Sequence, residues 1–359
     1  MDVILYRCTE PKKLRLINDI LADWNHPQLY NSISKSDLKI PFQKVNEVEK
    51  GIYIHRADLI KTVFDFVQEK NGLLVGGPGF GKSFLLEELS RYCSSRSIPC
   101  FIIRINDLTE GTNDEIGEEL KIDKEWLTIL ARIDAGNDKS ILIFDAYDTA
   151  KDEKLKSNII RAIKKSIVEL SNTWRIVVSV RTYDAIKSRK LLELFPTDNI
   201  NNQVSCRNFQ IPALTEQEVE EAFDLLPGFE SIYQKSNIEL KKLLKTPYFL
   251  NMFYYVLIGK KGNFSAFNSI ESEEQLLNVF WISSIEDSFE KGLFLRNLTL
   301  KLAESGSLSY DKFQILEENH KNVFNDLISS GILEEVSVMK KRFRLLITYC
   351  WILPFLNIC

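Results

Sequence analysis

A glycine-rich segment that ends in lysine and serine carries the clearest chemistry in the sequence. Residues 76–83 read Gly-Gly-Pro-Gly-Phe-Gly-Lys-Ser and fit the spacing G-x4-G-K-S/T. Glycines let a backbone curl until several N–H groups point at one phosphate, and a following helix adds its positive N-terminal end. In this pattern Lys82 reaches the β- and γ-phosphates, and the Ser83 hydroxyl binds Mg²⁺. The segment therefore predicts a P-loop for a nucleoside triphosphate.

An acid at the end of an apolar run is the second candidate group. Residues 141–145 read Ile-Leu-Ile-Phe-Asp. In a P-loop protein an acid at this place holds magnesium, so Ser83 and Asp145 are the predicted metal residues. Asp148, three residues further on, is a candidate for orienting the attacking water, although an aspartate in a turn needs no functional reason.

Arginine ends another apolar run. Residues 177–182 read Val-Val-Ser-Val-Arg-Thr. If the strand predicted at residues 176–180 lies beside the strand at 73–75 that precedes the glycine-rich segment, Arg181 is placed to reach the γ-phosphate and to report hydrolysis. A surface salt bridge is the alternative role for Arg181. Together the catalytic candidates are Lys82, Asp145, Asp148 and Arg181.

Regularly spaced apolar segments predict the scaffold for these groups. Buried strands are predicted at residues 73–75, 101–103, 141–144, 176–180 and 209–211. Amphipathic helices alternate with them, at residues 59–67, 85–93 and 159–170. This order predicts an α/β fold in which a parallel P-loop sheet carries helices on both faces. Ligands of such sheets bind beyond the carboxyl ends of the strands, where the polar candidates lie.

The composition changes after Pro212 and becomes mainly helical. Residues 215–218 have the spacing of a capping box, and Thr246 with Pro247 is typical of a helix start. A further helix is predicted at about 274–289, and residues 293–336 are helical and then strand-like, as in a winged-helix unit. We therefore expect an α-helical lid and a winged-helix-like region after the sheet. The predicted domains are 1–50 (role unknown), 51–213 (nucleotide-binding core), 214–262 (helical lid) and 263–359 (helical and winged-helix region).

Composition excludes several classes of function. The chain has 359 residues and a net charge of −4, and its basic runs are short, which argues against a nucleic-acid partner. We find neither a signal-peptide pattern nor an apolar stretch of spanning length, so we expect a cytoplasmic protein without a membrane partner. The six cysteines form no CxxC pair and the three histidines are far apart. Buried free thiols are therefore expected rather than a zinc site.

The order of these motifs resembles the STAND class of P-loop ATPases, signalling relatives of AAA+ proteins that include NACHT and NB-ARC domains. The resemblance covers about residues 51–335. Beyond the P-loop it rests on residues 53–58 (apolar-apolar-Gly-Arg-Glu in the family), Asp145 to Asp148 (D-G-x-D-E), Arg181 (sensor arginine), residues 209–218 (entry to the lid) and Thr246-Pro247 (lid proline). Among the positions that depart from the pattern, His55 replaces glycine, Ala57 replaces glutamate, and Thr149 stands where the last acid often lies. The last of these puts fast hydrolysis in doubt.

The resemblance implies a nucleotide-driven switch. In the family, ADP holds the lid and winged helix closed, and exchange for ATP opens them and permits homo-oligomerisation, after which an effector is activated. Bacterial members often act in antiviral defence. The trigger and the effector of this chain stay unknown. Carried onto this sequence, the cofactors are ATP or ADP with Mg²⁺, and the contacting residues are Gly77, Pro78, Gly79, Phe80, Gly81, Lys82, Ser83, Phe84, Arg56 and Pro247.

The last segment, residues 345–359, is apolar and rich in bulky side chains. Back-translation with plausible codons and a shifted frame gives a stretch similar to the F-x-H-H-x-L-x-D-Y expected after a bacterial STAND winged helix. We hypothesise an interrupted or frameshifted gene product that lacks its sensor. An apolar C-terminal helix that packs on the core or on a partner is the alternative.

Three functions therefore compete. The leading hypothesis is an ATP-binding signalling switch with slow hydrolysis, and the absence of a guanine-reading N-K-x-D favours adenine. An AAA+-like DNA-binding ATPase with a winged helix is the second, and stimulation of hydrolysis by nucleic acid would distinguish it. A nucleotide-binding scaffold without turnover is the third, and Thr149 keeps it open.

Overall fold

A computed structural model describes most of the chain from residue 54 to residue 345. The described residues are 54–122, 125–133, 136, 138–150, 152–197, 204–225, 228–259, 270–284, 288–305, 309–311, 321–329, 332–337 and 342–345. The predicted N-terminal segment 1–50 and the hypothesis on the C-terminal segment after Leu345 lie outside these residues. The chain divides into two compact units, one formed by Arg56–Pro212 and one that combines Ile54 and His55 with residues from Ala213 onward.

The first unit alternates strands and helices. Its elements are α1 (Ala57–Glu69), β1 (Gly72–Gly76), α2 (Lys82–Ser95), β2 (Cys100–Arg104), α3 (Asn113–Leu120), α4 (Trp126–Ala131), β3 (Ser140–Asp145), a 3₁₀ turn (Tyr147–Thr149), α5 (Glu153–Glu169), β4 (Trp174–Arg181), α6 (Thr182–Lys187), α7 (Arg189–Leu194) and β5 (Asn208–Gln210). All five strands pair in parallel, in the order β2-β3-β4-β1-β5. The predicted parallel P-loop sheet is confirmed.

Alternation along each strand divides the apolar side chains between the two faces of the sheet. On β1, Leu73 and Val75 join one core cluster and Leu74 joins the other. The first cluster is covered by α3 to α7, and the second by α1 and α2. Such two-sided burial explains why the strands are nearly continuous apolar runs, and it confirms the expected helices on both faces.

The fourth strand lies directly beside the first, as the sequence hypothesis for Arg181 required. In the parallel register of β1 and β4, Gly76 is paired with Arg181. The carboxyl ends of β1, β3 and β4 therefore lie at one edge of the sheet, where the phosphate loop begins.

Sequence periodicity missed four short helices of this unit. These are α3, α4, α6 and α7, of six to eight residues each. About two turns give too short a window for a helical period to be distinguished, and packing against the sheet rather than propensity stabilises such helices.

The second unit is helical and ends in a small antiparallel sheet. Its elements are α8 (Glu216–Leu225), α9 (Phe229–Lys235), α10 (Ile238–Leu244), α11 (Pro247–Gly259), α12 (Glu273–Ser284), α13 (Phe289–Ser305), β6 (Ser309–Asp311), α14 (Lys321–Ser329), β7 (Leu333–Ser337) and β8 (Arg342–Leu345). The sheet order is β6-β8-β7, and the helices share one apolar core that includes Ile54. Helices followed by a three-stranded antiparallel sheet confirm the expected order of elements, and their assignment as lid and winged helix stays a prediction.

Helix starts in this unit follow local signals. The backbone N–H of Thr215 donates to Glu218 Oε2 at 2.7 Å, and the N–H of Glu218 donates to Thr215 Oγ1 at 3.2 Å, so the predicted capping box is present. Pro247 begins α11 as predicted. The helix expected at about 274–289 is present but shorter, because α12 ends at Ser284 and the Ser288 hydroxyl accepts the N–H of Lys291 at the start of α13.

Two expectations from composition can be examined on the described residues. Cys93, Cys100 and Cys206 are buried free thiols, as expected for these three. Among the described helices, none combines the length and the apolar character needed to cross a bilayer.

Arg207 joins the end of α1 to the sheet. Its guanidinium donates to the carbonyls of Phe66 at 2.6 Å and Lys70 at 2.5 Å, and lies 3.8 Å from the centre of the Phe66 ring. The carbonyl of Arg207 in turn accepts the N–H of Leu73, the second residue of β1, at 2.9 Å. Two carbonyls at the end of α1, those of Phe66 and of the following Lys70, thus receive charge-assisted hydrogen bonds from one side chain.

We expect Arg207→Ala to destabilise the protein by about 2–3 kcal/mol, because the helix-end carbonyls lose charge-assisted hydrogen bonds. Urea unfolding measures the change. The exposed Arg189→Ala is the matched control and should change the free energy of unfolding by less than about 0.5 kcal/mol. Equal effects of the two substitutions would contradict a clamping role for Arg207.

Candidate nucleoside triphosphate site

The phosphate loop lies between β1 and α2 and depends on glycine at two positions. Gly79 and Gly81 have φ of 77° and 76°, in the left-handed region that glycine adopts without steric cost. At Gly77 a Cβ atom would lie 3.0 Å from the ring of Phe80, so this position leaves little room for a side chain. The backbone of the loop is therefore shaped by its glycines, as the spacing predicts.

Lys82 is the first residue of α2 and folds back over the loop. Its Nζ donates to the carbonyls of Gly76 and Gly77, both at 3.0 Å. Burial holds the pKa of Lys82 below its ordinary value, the Asp148 and Asp145 carboxylates oppose that shift, and the Arg181 cation adds to it. The other three predicted catalytic residues thus lie within electrostatic reach of Lys82.

Asp145 ends β3 in a buried position. Its Oδ1 accepts a hydrogen bond from the Ser179 hydroxyl at 2.5 Å, and the Ser179 oxygen accepts the N–H of Ala146 at 2.7 Å. Strand alternation explains the contact, since Ile143 on β3 and Val177 on β4 belong to the cluster on the α1–α2 face. Asp145 and Ser179, two residues further along their strands, lie on that same face.

Asp148 and Arg181 form an ion pair. The Nε of Arg181 lies 2.7 Å from Asp148 Oδ2, with the Asp148 side chain 5% exposed and the Arg181 side chain 43% exposed. Burial raises the pKa of the Asp148 carboxyl, and the Arg181 and Lys82 cations offset part of that rise. The salt bridge considered for Arg181 exists, but its partner is a buried acid of the candidate site rather than a surface group.

The turn after Asp145 is strained. Ala146 has φ of 61° and ψ of 50°, a left-handed conformation that costs a non-glycine residue about 1–2 kcal/mol. The STAND pattern has glycine at this position. Thr149, where the family often has an acid, instead donates its hydroxyl to the carbonyl of Ala146 at 2.7 Å and closes the turn.

Two residues of the site escaped the sequence interpretation. Ser179 is a lone polar residue in the buried run of β4, two positions before Arg181, and that interruption was the available signal. Asp184, on α6, contributes charge at Lys82 and Asp148. It could not be found from spacing, because α6 itself was not predicted.

The remaining candidates are placed less directly. Arg56 Nη1 donates to the carbonyl of Pro212 at 3.0 Å, just after β5, so Arg56 lies at the carboxyl edge of the sheet. Ser83 is exposed in the first turn of α2, and Phe84 beside it is half-buried. Pro247 belongs to the second unit, and its role beside a base stays a prediction.

The residues present fit a triphosphate with a divalent cation. A glycine loop leads into a helix N-terminus beside a lysine, which suits phosphate oxygens. Asp145 and Ser83 are hard oxygen ligands of the kind Mg²⁺ prefers. Within the described residues, the buried Oδ1 of Asp148 has no hydrogen-bond partner, as befits an acid that acts on a ligand or water.

Comparisons with known proteins give distant matches only. No family model matches the chain, and no curated protein does. The chain is similar to the solved structure of a Walker-type ATPase of Pyrococcus abyssi, with 13% identity, 82% of this chain and 93% of that chain covered, and a TM-score of 0.44. It is also similar to the structure of the Orc1 protein of Aeropyrum pernix in complex with DNA, with 14% identity, 85% of this chain and 93% of that chain covered, and a TM-score of 0.36. A third similar structure is the RuvB Holliday junction branch migration motor of Thermotoga maritima, with 12% identity, 80% of this chain and 92% of that chain covered, and a TM-score of 0.34. At these low identities and TM-scores the matches assign no function to this chain.

Replacement of Ala146 by glycine should stabilise the protein by about 0.5–1 kcal/mol, since the left-handed strain is relieved. Ala150→Gly is the matched control, because Ala150 ends the same turn at φ −59° and is buried. There glycine should destabilise by about 1 kcal/mol. Denaturant unfolding of both variants measures the changes, and a loss of stability in the Ala146 variant would contradict the strained turn.

Asp148→Asn should raise the melting temperature at neutral pH. Because folding raises the pKa of Asp148, its ionised form costs stability above that pKa, and the cost fades as the pH falls and is gone below the unfolded value of about 3.9. The gain of the variant should therefore shrink in acid. The exposed Asp65→Asn is the control and should change the free energy of unfolding by less than about 0.5 kcal/mol at neutral pH. A variant less stable than the wild type at neutral pH would contradict the assigned burial cost.

Proposed function

We propose that the chain binds ATP with magnesium at residues 76–83 and hydrolyses it slowly. One observation carries the proposal: a single sheet edge gathers Lys82, Asp145, Asp148 and Arg181 next to a glycine loop that ends in a helix N-terminus. A purely structural ion pair does not require a lysine that donates to the carbonyls of its own loop and has two acids and an arginine nearby. A phosphate-binding site explains the combination.

Each residue of the edge has a chemical task in this proposal. The N–H groups of the loop and of the first turn of α2 bind phosphate oxygens. The ammonium of Lys82, held over the carbonyls of Gly76 and Gly77, neutralises phosphate charge. Ser83 and Asp145 would hold Mg²⁺, which when bound stabilises negative charge on the phosphates.

Asp148 and Arg181 are proposed to orient the attacking water and to sense the terminal phosphate. Arg181 is 43% exposed, so its guanidinium is open to solvent while Nε contacts Asp148. A phosphate anion competes with Asp148 for that guanidinium, and release of Asp148 leaves both carboxylate oxygens for a water proton. This exchange of partners would make the site sensitive to whether a third phosphate is present, as a switch requires.

Slow turnover is proposed from Thr149. Its hydroxyl closes the turn on the Ala146 carbonyl and cannot act as a general base. Activation of water then depends on Asp148 alone among the residues of the acidic turn. The same observation favours the second candidate function, a nucleotide-binding scaffold without turnover.

The likeness of the motifs to STAND ATPases supports the remaining proposals. These are residues 51–213 as nucleotide-binding core, 214–262 as lid with Pro247 near the base, 263–359 as winged-helix region, ADP-closed and ATP-open states, a homo-oligomer on activation, a cytoplasmic location and a role in antiviral defence. The residues of the chain do not identify the trigger or the effector.

Nucleotide content and turnover test the proposal directly. Purified wild type should carry ADP or hydrolyse ATP slowly, and Lys82→Ala and Asp145→Ala should lose at least about 100-fold in turnover. Lys61→Ala, an exposed lysine on α1, is the matched control and should keep both properties. If the wild type binds ATP but does not hydrolyse it, the nucleotide-binding scaffold is the function that remains. Wild type that binds no nucleotide would overturn both.

The rate of ATP hydrolysis with and without added DNA distinguishes the signalling switch from the AAA+-like DNA-binding ATPase. The Orc1 structure is a complex with DNA, and a DNA-dependent ATPase should hydrolyse faster when DNA is present. The acidic net charge predicts no stimulation. A salt-sensitive, several-fold increase would support the DNA-binding ATPase instead.

A further inference from the structure

We infer that Ser179 is a positioning residue for the magnesium-binding carboxylate of Asp145. The inference rests on the proposed function, and it assigns a role to a residue that no phosphate-loop or acidic-strand motif includes. Ser179 lies inside β4, fully buried, between the strand that ends in Asp145 and the strand that leads into the phosphate loop.

The hydroxyl of Ser179 makes two contacts that fix the acidic strand end. It donates to Asp145 Oδ1 at 2.5 Å and accepts the N–H of Ala146 at 2.7 Å. Both partners are on the neighbouring strand or its turn, so one side chain holds the carboxylate and the strained peptide after it. With Oδ1 engaged by a donor, Oδ2 is the oxygen that Asp145 offers to a cation.

Burial makes this contact more than sheet packing. Asp145 is 5% exposed, and a polar group so far from water needs a hydrogen-bond partner. The Ser179 hydroxyl supplies that partner without adding positive charge that would repel Mg²⁺. Partners that hydrogen-bond a metal ligand fix its orientation, and their loss costs metal affinity about 10-fold to 100-fold.

The position of Ser179 on β4 also connects Asp145, the proposed magnesium ligand, with Arg181. Ser179 and Arg181 are two positions apart on one strand, so they lie on the same face, and Arg181 contacts Asp148 three residues after Asp145. The serine and the arginine therefore hold the two acids of the turn from one rigid strand. A displaced Asp145 carboxylate is thus expected to affect the metal first and the phosphate loop little.

A matched pair of substitutions tests the inference. Ser140, the first residue of β3, is also fully buried in this sheet, but its hydroxyl has no hydrogen-bond partner among the described residues. Ser179→Ala and Ser140→Ala thus remove the same atom from similar surroundings. Only the first removes a contact to Asp145.

Calorimetric titration of a non-hydrolysable ATP analogue, in Mg²⁺ and in EDTA, is the measurement. Wild type should bind more tightly with magnesium. In Ser179→Ala this enhancement should fall about 10-fold or more while affinity in EDTA stays within about twofold, and Ser140→Ala should keep both values. Thermal unfolding confirms that each variant is folded. If Ser179→Ala does not fold, Ser179→Cys, which keeps the shape and weakens the donor, should show the same loss in smaller degree.

Two results overturn the inference alone. An unchanged magnesium enhancement in a folded Ser179 variant would show that Asp145 needs no positioning. An equal loss of affinity with magnesium and with EDTA would show a general structural role. If wild type binds no analogue, or gains nothing from magnesium, the proposed function fails and the inference falls with it.

Discussion

Placement of β4 between β1 and β3 is the constraint on which the candidate site depends. Parallel pairing puts Arg181 opposite Gly76, at the start of the phosphate loop, and Ser179 beside Asp145. With another strand order these groups would still lie at the carboxyl edge of the parallel sheet, but Arg181 would not be adjacent both to the glycine loop after β1 and to the acids after β3. One backbone register therefore assembles groups that lie 99 residues apart in the sequence, from Lys82 to Arg181.

Burial of charge at this edge has a cost that its partners only partly offset. Folding lowers the pKa of Lys82 and raises that of Asp148, so both charged forms are less stable here than in water. Ala146 adds backbone strain in the same turn. Strain and desolvated charge that lie together in an otherwise regular sheet are typical of sites that bind or convert a ligand.

Much of the sheet followed from the sequence because buried parallel strands leave unbroken apolar runs, as at residues 141–144. The phosphate loop and Asp145 were predictable for the same reason, since each directly follows such a run. Short helices such as α6 were not predictable, and neither was the charge of Asp184 that α6 brings to the site. The pairing of Asp148 with Arg181 depends on strand order and side-chain direction, which no local pattern encodes.

A crystal structure with Mg²⁺ and a non-hydrolysable ATP analogue would test the central claim most directly. The account predicts phosphates bound by the N–H groups of residues 77–83, the Lys82 amine turned from its loop carbonyls toward them, and the cation beside Ser83 and Asp145. The same structure should show Arg181 released from Asp148. A nucleotide bound elsewhere, or Lys82 still on the carbonyls of Gly76 and Gly77 beside a bound triphosphate, would contradict it.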